Sequence, residues 1–137
     1  MDQGTLVEPK IEEGKQLVER LVSKGVGVTA AGWVKESEDG PWYLYVVTPL
    51  VPKEGGTLQA YRRLNAAIDE MPRLVWVDPL KIKVIASESA VGKVMREYPE
   101  NYPGASLIPY RQGRLGDRLI EAAYLYPPVP ASVEERE

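Results

Sequence analysis

Hydrophobic positions along the chain switch between two rhythms, one of helices and one of strands. Ile11, Gly14, Val18, Leu21 and Val22 recur at the spacing that lines one helix face, and Lys24-Gly25 is a stop signal. Gly14 falls on that apolar stripe. Its missing side chain predicts close packing of helix on sheet, at about 1 kcal/mol of helix propensity relative to alanine. Val26 to Lys35 is rich in small and β-branched residues and reads as a strand. The polar run Glu36-Ser37-Glu38-Asp39-Gly40-Pro41 is a turn, and Trp42 to Thr48 is a second, stronger strand. Together they predict an antiparallel hairpin.

A loop rich in proline and glycine, Pro49 to Gly56, leads to a second helix with Thr57 as N-cap. Its stripe is Leu58, Tyr61, Leu64, Ile68 and Met71, and Pro72 ends it. Leu74 to Val77 is a short extended piece broken by Asp78-Pro79, and Leu80 to Ala86 is a strand. Ser87 or Ser89 caps a third helix that runs to Tyr98 and turns Val91, Val94, Met95 and Tyr98 inward. After the loop Pro99 to Gly104, the segments Ala105 to Tyr110 and Arg118 to Tyr126 predict a terminal hairpin.

The order α-β-β-α-β-α-β-β predicts an α+β fold, a mainly antiparallel sheet of about five strands with three helices on one face. Residues 1–7 read as a loose lead-in and 8–126 as one domain. Residues 127–137 begin Pro127-Pro128-Val129-Pro130, turn acidic, and read as a disordered tail.

Strand alternation sorts side chains onto two faces. The aliphatic sets, Leu44 and Val46 with Ile82 and Val84, suit the helix-covered face. The opposite face is expected to present Trp33, Tyr43, Tyr45, Lys81, Lys83, Ile85 and Glu121. That mixture is too apolar for water and too polar for a plain core. A second copy, the chain's own tail or a long loop such as Pro99 to Gly104, or a ligand would cover it.

Composition narrows the chemistry. The 137 residues include no cysteine and no histidine. This excludes disulfides, thiolate nucleophiles and thiolate metal sites, and with them hydrolases that need a histidine base from this chain. Phenylalanine is also absent, beside 8 tyrosines and 3 tryptophans, so every aromatic carries a polar handle suited to half-buried sites. With 17 basic and 20 acidic side chains the net charge is −3, which exerts no overall pull toward nucleic acid. No run of about 18 apolar residues spans a membrane. Met1-Asp2-Gln3-Gly4 lacks the pattern of a signal peptide, so a cytoplasmic location is expected.

Three groups of residues invite chemistry. Glu121 beside Lys81 or Lys83 could serve as a general acid or base, although a cross-strand salt bridge uses the same residues. Arg111, Arg114 and Arg118, in a loop with glycines, could grip phosphates, with Arg62 and Arg63 widening the patch. No aromatic residues interleave them as in RNA-binding surfaces, and a solvated hairpin tip explains them as well. Asp69, Glu70 and Asp78 do not match a metal site, because the lysine follows Asp78 one residue too late. Gly14-Lys15 and Gly92-Lys93 lack the upstream glycine and the following hydroxyl of a phosphate loop.

The expectation is a small non-catalytic interaction or structural module without cofactor or metal. It self-associates, or binds another protein, through the aromatic face. The alternatives are a small-molecule-binding domain or enzyme on the same face, and a nucleic-acid accessory protein using the arginine hairpin.

Overall fold

A computed structural model of the chain describes residues 8–24, 27–49, 57–70 and 74–127. Residues 1–7, Gly25-Val26 (the expected helix stop and strand start), the loop residues 50–56, residues 71–73, and the proposed tail beyond Pro127 lie outside the described residues.

The first apolar stripe folds as helix α1 (Glu8–Ser23), which buries Gly14, Leu17, Val18 and Leu21. Glu8 in its first turn and Arg20 in its last complement the helix dipole. Strands β1 (Ala30–Lys35) and β2 (Trp42–Thr48) form the expected antiparallel hairpin. Helix α2 (Thr57–Asp69) then carries the chain back along the sheet. Strand β3 (Ile82–Ala86) therefore pairs with β2 in parallel, with Ile82 beside Leu44. Ser89 caps α3 (Ala90–Glu97), its hydroxyl accepting from the Gly92 N–H at 3.0 Å. Strand β4 (Ile108–Tyr110), a two-stranded ribbon of β5 (Arg114–Leu115) and β6 (Arg118–Leu119), and β7 (Ala122–Leu125) complete the order. The main sheet runs β3-β2-β1-β7-β4 and is antiparallel except at β2–β3.

Both sheet edges are blunted. On β3, the Val84 N–H donates to the Tyr61 hydroxyl of α2 at 3.0 Å and is not offered to another strand. On β4, Pro109 brings no N–H at all.

The helices do not all pack on one face, contrary to the expectation from sequence. Leu17, Val18 and Leu21 of α1 and Leu64 and Ala67 of α2 share a core with Trp33, Leu44, Val46 and Ile82. Val91 and Met95 of α3 share a second core with Val34, Tyr45, Val47, Ile85 and Leu125. The reason lies in β1, whose six residues are all buried. A strand apolar on both sides needs cover on both sides, and α3 with the ribbon supplies the second.

Register also corrects the side assigned to Trp33. It stands opposite Leu44 on β2 and Tyr124 on β7, and directly opposed residues share a face. Trp33 is therefore with the aliphatic set beneath α1, away from Tyr43 and Tyr45. The ladder begins only at Ala30, so Val28 lies before it and packs with Ala31 and Trp33. Counting the alternation from Val26 put β1 out of phase by one residue.

Gly14 explains how α1 approaches so closely. A β-carbon there would lie 2.6 Å from the Tyr126 hydroxyl oxygen and 3.0 Å from Trp33 Cζ2. No helix among the described residues is long and apolar enough to cross a membrane.

Candidate functional site

The tyrosine side of the sheet is not open. Tyr45 is 0% exposed and Ile85 is buried, beneath α3 and the ribbon. Gly116 lets the ribbon turn lie against α3. Its φ is +64°, and a β-carbon there would stand 2.6 Å from backbone atoms of Ala90 and Val91.

At the edge of this second core four polar side chains converge. The Tyr45 hydroxyl donates to Glu36 Oε2 and accepts from Arg118 Nη1 at 2.7 Å. Lys83 Nζ donates to both Glu36 carboxylate oxygens, at 2.9 and 3.2 Å, and Arg118 Nη1 lies 3.4 Å from Oε2. The ammonium of Lys83 stands 4.4 Å from the centre of the Tyr43 ring, and the guanidinium of Arg118 stands 5.5 Å from that of Tyr45.

Partial burial alone would push the Glu36 carboxyl up. Hydrogen bonds from Tyr45 and Lys83, with the charges of Lys83 and Arg118, outweigh it and hold the group below its ordinary value. Burial, followed by the hydrogen bond to Glu36, pushes the Tyr45 hydroxyl far above its ordinary value. At neutral pH the pair is fixed as carboxylate and neutral phenol. Neither is poised for proton transfer near neutrality, and Glu36 is already engaged by three donors. The arrangement clamps the ribbon to the sheet through Arg118.

The residues singled out from sequence are thus separated. Trp33, 2% exposed, donates its indole N–H to the Tyr126 hydroxyl at 2.8 Å under α1. Tyr43 and Lys83 are half-buried beside the clamp. Lys81 sits in a short 3₁₀ turn (Pro79–Lys81), 3.8 Å from Asp78. Glu121 is exposed just before β7, and two strands, β1 and β2, lie between β7 and β3. It does not meet Lys81 or Lys83. Arg111 and Arg114 are exposed, but Arg118 is committed to Tyr45 and Glu36, so the three do not act as one free cluster. Among the described residues no group of three metal-binding side chains gathers.

Glu36 is the residue that sequence reading passed over, as part of a polar turn. Alternation continued two residues past Val34 places it on the Tyr45 side.

A second feature lies on the α1 side of the molecule. Glu13 of α1 accepts three consecutive backbone N–H groups, those of Val75 at 2.8 Å, Trp76 at 2.6 Å and Val77 at 2.6 Å. Val77 is buried in the first core. Asp78 Oδ1 accepts from the Leu80 N–H at 3.0 Å and opens the 3₁₀ turn. The backbone is thus fixed by carboxylates and one buried valine. Its other apolar side chains face water: Val75 is 77% exposed, Trp76 48% and Leu80 89%. Such an ordered apolar segment marks a contact surface more often than an isolated exposed leucine does. No family model matches the chain, and searches of curated proteins and of solved structures each return no match.

Proposed function

We propose that the chain is a small non-catalytic protein-interaction module that self-associates through the segment from Val75 to Leu80. The supporting observation is the Glu13 clamp, which orders a backbone that leaves Val75, Trp76 and Leu80 in water. Preorganisation of this kind lowers the entropy cost of association. The rim favours a copy of the same chain as occupant. Asp78 and Lys81 carry opposite charges three residues apart, so a two-fold contact sets each lysine against the other copy's aspartate. Three apolar side chains make a small surface, which fits a weak and reversible contact.

This reading keeps the interaction module and moves its surface away from Tyr45, which is covered. The acid–base reading lacks support because Glu121 is remote from both lysines and Glu36 is fully engaged. The phosphate reading loses Arg118.

Sedimentation velocity of the full chain over a concentration series tests the proposal, alongside Leu80→Asp. Leu80 is exposed, so the substitution leaves thermal stability unchanged. Wild type shifts toward dimer with concentration and Leu80→Asp stays monomeric. A wild type that is monomeric throughout overturns the proposal.

A further inference from the structure

A separate groove of about 290 Å³ opens beside β4, walled by Tyr98, Tyr102, Leu107, Pro109, Arg111 and Gln112. That volume lies at the lower end for small-molecule sites and suits a ligand of one or two rings. The wall is fixed from behind. Tyr98 meets the edge of Tyr110 at 4.7 Å, and the Tyr110 hydroxyl donates to the Arg114 carbonyl at 2.7 Å. The Tyr102 N–H donates to the Pro99 carbonyl at 3.0 Å, and the Ala105 N–H to the Tyr102 carbonyl at 3.2 Å. Just past Gln112, the Gly113 carbonyl accepts from the Ile120 N–H at 3.1 Å, which ties that turn down.

The groove is apolar with a single charge. The rings of Tyr98 and Tyr102 have centroids 5.4 Å apart, tilted by 46°, and Leu107 and Pro109 extend the apolar surface. Such rings favour an aromatic partner, stacked offset or edge-on. Their hydroxyls lie 3.3 Å apart, so one O–H serves the other and the second is left to donate. Arg111 is the only charged residue in the wall. It is exposed, and among the described residues no carboxylate lies within ion-pair distance of it. A free guanidinium beside an apolar wall selects an anion, and its fork matches a carboxylate. Glu100, exposed in the 3₁₀ turn Tyr98–Asn101, and the net charge of −3 disfavour a dianion.

The geometry points to a binding site for a small aromatic monocarboxylate, its ring against Tyr98 and Tyr102 and its carboxylate on Arg111. This site is independent of the Val75–Leu80 surface.

The test titrates the full chain with naphthylacetate and with its neutral twin naphthylacetamide, read by amide chemical shifts. With the acid, the shifts of Tyr102, Ala105, Arg111 and Gln112 move together and saturate with a Kd of about 1 mM or tighter. The amide binds about tenfold more weakly, since it lacks the charge-assisted pair. Arg111→Gln, at an exposed position, weakens the acid by the same factor and leaves the amide unchanged, which a merely structural role for Arg111 would not do. Tyr102→Ala weakens both ligands. Equal affinity for acid and amide in wild type overturns the inference, as does acid binding that Arg111→Gln leaves intact. Shifts that never saturate in the groove, or that fall on Val75 to Leu80 instead, overturn it too.

Discussion

The side chain of Glu13 and the backbone of Trp76 are joined at 2.6 Å, while the indole of Trp76 remains 48% exposed. The same carboxylate also holds the amides of Val75 and Val77, so one residue of α1 orders the whole proposed contact segment. Glu13→Ala removes the acceptor from three donors at once. Hydrogen bonds to a charged group are worth about 1.5–3 kcal/mol each, but exposure lets water replace part of that, so a total loss of about 1–3 kcal/mol is expected. Amide exchange at Val75, Trp76 and Val77 accelerates ahead of the rest of the sheet. Unchanged exchange there would show that the clamp does not order the segment.

Gly14→Ala destabilises the protein, although alanine is favoured in a helix by about 1 kcal/mol. The added methyl meets the Tyr126 hydroxyl, and overpacking of this kind costs about 1–3 kcal/mol. Tyr126→Phe alone is also destabilising, because it leaves the Trp33 indole N–H without its acceptor and removes the phenol's bond to the Ile11 carbonyl. The double variant loses less than the sum of the two, since phenylalanine removes the atom that the methyl meets. Denaturant unfolding of the four proteins measures the coupling, and strict additivity contradicts the packing.

The acid limb of stability carries the Glu36 clamp. Its folded-state value lies below the ordinary 4.5, so its contribution is fully present above that pH. It is lost as pH falls below 4.5 toward the folded-state value, because the unfolded chain then takes up the proton first. Glu36→Gln keeps an acceptor but cannot titrate, so it is less stable than wild type at neutral pH and shows a shallower decline in acid. Parallel acid limbs for the two proteins would remove Glu36 from the account.

Two tyrosines govern the alkaline limb. Burial, then the hydrogen bond to Glu36, raises Tyr45; burial is also the main cause for Tyr126. Groups raised in the folded state stabilise it fully below the unfolded value of 10.0 and lose that contribution as pH climbs above it. In a titration of tyrosinate absorbance, these two phenols ionise only together with unfolding. Tyr45→Phe and Tyr126→Phe each remove one late phenol. Full ionisation before unfolding contradicts the burial of both.

Much of the fold was legible. The stripes of α1, the hairpin of β1 and β2, and the Ser89 cap follow from local spacing and turn chemistry. Alternation also sorts the side chains of β2 and β3 onto the observed faces, although the strand expected from Leu80 begins only at Ile82, after a 3₁₀ turn. The phase of β1 was not legible, since nothing local says that pairing begins at Ala30. The placement of α3 opposite α1 depends on which way a chain turns after β3, a tertiary outcome that its own amphipathic stripe does not encode. The candidate site was less legible still. Glu36 meets Lys83 and Arg118 across 47 and 82 residues of sequence, and Glu13 meets Trp76 across 63. Pairings that distant are set by packing and leave no periodic trace.

Tryptophan emission tests the central claim most directly, because Trp33 and Trp42 are buried and Trp76 alone of the three tryptophans meets solvent. Acrylamide quenching of the full chain therefore reports on Trp76. Quenching that weakens and emission that shifts to the blue as protein concentration rises, with neither change in Leu80→Asp, are the predicted result. Quenching and emission that stay constant over the same concentrations would contradict self-association through this segment.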